Sequence, residues 1–277
     1  MPVRIAPSKF GSIYAGDVDF IKGTLEECYA RLEPHEVSYV DLYLFESSTR
    51  MKAFFLRERS AVGVVGQGFD DPFVAQHDAW RGTPRISICL EKLRSLPREV
   101  QVGSIRHEAG HSVLHGGIEY YMAPLPPMPR LAGIGFTRSS ASDFLYLMSI
   151  AVKDFEVTRF LIGREFFGDQ LAYAMSVFDT TDDDRLAWRM SRGNRVAEIL
   201  CIASRFKEIC CAAPFLRDER IGRDVEDRMI CELSYMGGDD ARMLLGIAKD
   251  DLPTLGTDTT VNIGLLSDLL LRTFLGT

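Results

Sequence analysis

The residue pattern changes near Leu90, and that change limits the folds open to this chain more than any other feature. Before it, stretches rich in β-branched and aromatic residues read as short strands: Val37 to Phe45, Met51 to Leu56, Ala61 to Val65 and Ile86 to Leu90. Gly66, Gly68, Asp70 and Pro72 read as turns between them. Thr24 with Glu27 three residues on has the spacing of a capping box and predicts a helix of about ten residues running to Leu32. Beyond Leu90 the apolar residues recur at the helical period nearly to the C-terminus, broken by Pro124-Leu125-Pro126-Pro127-Met128-Pro129, by Gly237-Gly238 and by Leu252 to Thr260. The expected class is α+β, with a small N-terminal β-sheet and its helices followed by a largely helical C-terminal half. The proline-rich stretch is expected as a stiff surface loop. The expected subdivision is an α/β part over residues 1–117 and a helical part over 118–277.

Composition narrows the roles. An apolar content of 46% in 277 residues supports a substantial core. With a formal charge of −7 there is no overall basic field to hold nucleic-acid phosphates, so a nucleic-acid partner is not expected. No apolar run reaches the ~18 to 20 residues of a membrane span, and the N-terminus has no basic-then-apolar leader pattern. The six cysteines form no C-x-x-C pair, and Cys210 and Cys211 are adjacent, which fits buried thiols in a reducing, cytoplasmic setting.

The chemistry concentrates in His107-Glu108-Ala109-Gly110-His111. With five histidines in the chain, the chance of H-E-x-x-H arising anywhere is roughly 1 in 200. Pro97 after Ser95 suits a helix start and Gly116-Gly117 a stop, predicting a helix from Leu96 to His115. At 100° per residue, Val102, Ile105, Ala109 and Val113 cluster within about 80° of arc, and His107, Glu108, His111 and His115 fall opposite, giving one packing face and one chemical face. Histidines four apart put two imidazoles one turn apart, able to share a Zn²⁺. Glu108 between them stands where a general base takes a proton from an attacking water.

These residues resemble the zincin metallopeptidases, whose active-site helix carries the same His-Glu-x-x-His pattern. Leu114 and Gly117 stand where a metzincin has Gly and His, which disfavours that clan. The string His107 to His115 is instead similar to gluzincins, including ImmA/IrrE-type and minimal gluzincin peptidases. The resemblance implies a third ligand, an acid on a later helix, and points to the segment Lys153 to Phe160 on a helix capped by Ser140 with Asp143 and running to about Ile162. The apolar stripe there is Phe144, Leu147, Met148, Ala151 and Phe155. Asp154 and Glu156 flank it at about 70° and about 130°, which leans only mildly toward Asp154 as the inward acid. The family register also puts Asp154 at the ligand position and Thr158 at the place of the residue that orients a histidine, but it normally has Glu where Asp154 stands, so Glu156 stays a rival.

His115 admits three roles: a fourth ligand, a substrate-facing group or a packed histidine closing the helix. The strand Ile86 to Leu90 or Ala61 to Val65 could offer an edge for an extended peptide. Tyr120 and Tyr121 could donate to an oxyanion, although packing is the commoner role. The expected function is a zinc-dependent metallopeptidase acting on a peptide or protein substrate. The alternative is a catalytically inactive zincin-like regulatory or interaction protein that keeps the metal.

Overall fold

The computed structural model describes residues 2–61, 73–121 and 128–275. The chain is α+β, with a four-stranded mixed sheet at its N-terminus and helices through most of the rest. Two compact units account for it. The first comprises Met1–Tyr121 with Leu161–Tyr173, the second Met122–Phe160 with Ala174–Thr277.

The first unit opens with β1 (Arg4–Phe10), α1 (Ala15–Leu32) and β2 (Tyr39–Phe45). β1 and β2 are parallel, so a crossover must join them, and α1 supplies it. α1 buries Val18, Ile21, Leu25, Cys28, Tyr29 and Leu32, one stripe at helical spacing that begins well before the predicted start at Thr24. The capping box at Thr24 and Glu27 is not used: the Thr24 hydroxyl lies inside the helix and donates to Phe20 O at 2.8 Å. α2 (Ser48–Ala61) follows, then β3 (Ala75–Asp78), β4 (Arg85–Cys89), the short α3 (Leu90–Arg94) and α4 (Arg98–Leu114). The sheet order is β1-β2-β4-β3, with β3 antiparallel to β4.

Two expectations change here. Met51 to Leu56 is helix within α2 rather than strand. Met51, Phe54, Phe55 and Glu58 fall at i, i+3, i+4 and i+7, and the first three pack on Phe45 and Cys89 of the sheet, so a helical face outweighs the strand propensity of the phenylalanines. Ile86 to Leu90 coincides with β4 but is no edge. It lies between β2 and β3 with all five strand residues buried. Among the described residues the edge on that side is β3. Ala61 closes α2, and Val62 to Val65, Gly66, Gly68, Asp70 and Pro72 lie outside the described residues. On the far edge, β1 accommodates Pro7, as an edge strand can.

A buried ion cluster ties α2 to this sheet. Arg85 of β4 reaches both Glu58 oxygens at 3.0 and 2.9 Å and Asp78 of β3 at 2.9 Å. Burial holds the Asp78 carboxyl above its ordinary range even though Arg85 opposes the shift.

The remaining helices are α5 (Met128–Ile134), α6 (Arg138–Ile162), α7 (Phe167–Phe178), α8 (Asp182–Ser191), α9 (Arg195–Ala212), α10 (Gly222–Leu233), α11 (Gly238–Gly246) and α12 (Thr259–Leu275). Pro124 to Pro127 lie outside the described residues, and Met128-Pro129 open α5. α6 starts one turn before the predicted cap: Thr137 and Ser140 each accept the other's backbone N–H, at 2.9 and 3.2 Å. Its stripe of Phe144, Leu147, Met148, Ala151 and Phe155 is buried, as the periodicity predicts. No helix among the described residues is long and apolar enough to cross a membrane.

Candidate metal centre

α4 carries the His-Glu-x-x-His residues within two residues of the predicted bounds. Pro97 sits at its N-cap with Glu99 in the first turn, and at its end the His115 N–H bonds to His111 O at 2.7 Å. α1 holds it in place: the buried Tyr29 hydroxyl is 2.6 Å from Ser112 Oγ, which in turn donates to Ala109 O. The separation into a packing face and an open chemical face does not hold. Ile105 and Ala109 are fully buried, yet His107 and His115 are only 1% exposed, Glu108 5% and His111 9%. This helix is enclosed around most of its middle, so its polar groups must be held by protein.

All five histidines lie in the first unit, and four of them, His77, His107, His111 and His115, are linked by ring contacts. His107 and His111 stand one turn apart with ring centroids 4.8 Å from each other, nearly edge to face at 78°. The Nδ1 of His111 is 3.2 Å from Nδ1 of His115, whose ring also meets the Tyr120 ring edge-on at 5.2 Å. From β3, His77 lies parallel to His111 at 6.1 Å between ring centroids, and the Tyr121 hydroxyl is 2.9 Å from His77 Nδ1. His77 has no pattern in the sequence to mark it. Only the pairing of β3 with β4 puts it here.

His107 Nδ1 is 3.3 Å from Oε1 of Gln170, a fully buried residue of α7, and Gln170 Nε2 donates to Gly103 O at 2.9 Å. One residue earlier on each helix, Arg106 pairs with Asp169 and also with Glu27 of α1, at 2.6 Å to the latter. The Arg106 guanidinium lies 4.7 Å from the Phe166 ring centroid. Burial works against the Arg106 charge, but Asp169 and Glu27 outweigh it and raise its pKa. Gly103 lets α7 come this close: a Cβ there would fall 2.3 Å from Asp169 O and 2.8 Å from Tyr173 Cβ.

The acids on α6 differ in their surroundings. Glu156 is buried, and both its oxygens accept bonds from α12, Oε2 from the Thr259 hydroxyl and Oε1 from Asn262 Nδ2, each at 2.8 Å. Asp154 is half-buried. Thr158 is buried with its hydroxyl 3.7 Å from Cys211 Sγ on α9, inside the second unit. The contact to a histidine that the family register assigns to Thr158 is made to His107 by Gln170. Within the first unit, His107 and His111 each offer a ring nitrogen to a divalent ion, and these atoms lie within 4.8 Å of one another.

No protein-family model matches the chain, and no curated protein or solved structure matches it significantly.

Proposed function

We propose that this protein is a zinc-dependent metallopeptidase that holds one Zn²⁺ through His107, His111 and Asp154 and hydrolyses peptide bonds with Glu108 as general base. The observation that carries the reading is the pair of imidazoles 4.8 Å apart on one enclosed helix, with Glu108 between them in sequence. Two neutral imidazoles and one carboxylate make a donor set suited to zinc, and three protein ligands leave a position open, as catalysis needs. A zinc ion there would polarise the scissile carbonyl and bring the pKa of a water toward ~7.

The chain's own residues do the rest. Glu108 takes a proton from the attacking water and returns it to the leaving amine nitrogen. Asp154 in place of the family's Glu is a shorter arm and needs a closer backbone. An extended peptide would pair along the outer edge of β3, the strand that carries His77. Free thiols at all six cysteines suit the reducing cytoplasm.

The test is Glu108→Gln, which keeps the shape and removes the base. Zinc content by elemental analysis should stay at one ion per chain while cleavage of a peptide library falls at least about 100-fold. Undiminished cleavage by the variant would refute the assignment of Glu108. A wild-type chain that holds zinc but cleaves nothing would favour the regulatory zincin-like reading.

A further inference from the structure

We propose that Gln170 is a positioning residue for the metal centre: its side-chain carbonyl accepts the Nδ1–H of His107 and so fixes the tautomer in which Nε2 carries the ring's lone pair. This rests on the reading of His107 as a ligand. The direction of the bond follows from the partner on the other side. Gly103 O is a carbonyl and can only accept, so the Gln170 amide must give it Nε2–H, which turns Oε1 toward His107. An Oε1 facing the ring requires a proton on Nδ1, and a neutral imidazole protonated at Nδ1 presents its lone pair at Nε2.

Gln170 has little freedom to turn. It is fully buried, and the adjacent Asp169 is clamped to Arg106, the residue before His107. α4 and α7 are thus joined by two neighbouring pairs, 106 with 169 and 107 with 170, at the level where Gly103 permits close approach. The neutral amide also matters, since it orients the ring without adding charge to the site.

Two variants separate positioning from simple packing. Gln170→Met fills a similar volume and loses both bonds. Gln170→Glu can still accept from His107 but can no longer donate to Gly103 O. Zinc affinity, read by competition with a chromophoric chelator, should fall about 10- to 100-fold in Gln170→Met and recover most of that loss in Gln170→Glu. If Gln170 served only to pack α7 on α4, the Glu variant, with a new buried charge and no bond to Gly103, would bind no better than Met. Either that order, or a Met variant that binds as the wild type does, overturns the proposal.

A second measurement holds even if a variant fails to fold. In the metal-free wild-type chain, ¹H–¹⁵N correlation of the His107 ring should show the proton on Nδ1, and a proton found on Nε2 instead would overturn the proposal. A wild-type chain with the Nδ1 proton but no affinity for zinc would leave the hydrogen bond standing and sink the metal reading on its own.

Discussion

Two acids two positions apart on α6 show how much a single residue's surroundings decide. Helical periodicity put Asp154 and Glu156 on either side of the apolar stripe and leaned only mildly toward Asp154. α12, more than 100 residues later, engages both oxygens of Glu156 through Thr259 and Asn262. A carboxylate held that way is committed to structure, and moving it to a metal would strand two buried donors. Asp154→Asn should therefore weaken zinc binding at least about 10-fold with unfolding unchanged, whereas Glu156→Gln should keep zinc and lose about 1–3 kcal/mol of stability, because its charge-assisted bonds to Thr259 and Asn262 become weaker neutral ones. Zinc titration and urea unfolding of both variants check this, and the opposite pattern would make Glu156 the ligand. Gln170 gave no advance signal for the same reason. A buried glutamine 63 residues from its histidine has no spacing to betray it.

Among the elements, α4 was the most legible, because its motif and its stops lie within one short segment. α2 was misread since its phenylalanines favour strand locally while their spacing with Met51 and Glu58 fits a helix against the sheet. The approach of α7 to α4 is the geometry that matters most for the site. Gly103→Ala would put a methyl group against backbone atoms, which cannot yield as a flexible side-chain end can. The variant should lose about 1–3 kcal/mol in chemical denaturation, and α7 should shift enough to weaken the Gln170 contact with His107. A Gly103→Ala chain as stable as the wild type would show that the two helices are less tightly joined than described.

For the whole molecule, stability should depend on pH through Glu208. Burial pushes this carboxyl up to about 7 against the opposing pull of Arg205 and Lys207. Between about 4.5 and about 7 the folded chain keeps a proton that the unfolded chain has released, so stability falls as pH rises through that window and levels off above it. The total is on the order of 3 kcal/mol. Glu208→Gln has no such proton to lose and retains a donor and acceptor beside Arg205, which also bonds Phe178 O and Thr180. Urea unfolding at pH 5 and pH 8 should show the variant gaining on the wild type at the higher pH; an equal difference at both would count against the assignment.

The α+β class, the helical second half, the span of α4 and the spacing of His107, Glu108 and His111 are all properties of neighbouring residues, set by a period of 2 or 3.6 and by local start and stop signals, so the amino-acid order alone determined them. The place of β3 at the sheet edge, the gathering of His77 and His115 around His111, the hold of Gln170 on His107 and the capture of Glu156 by α12 join residues far apart in the chain. Hydrogen bonding and burial at those points depend on which distant surface arrives, and that is decided only when the elements pack.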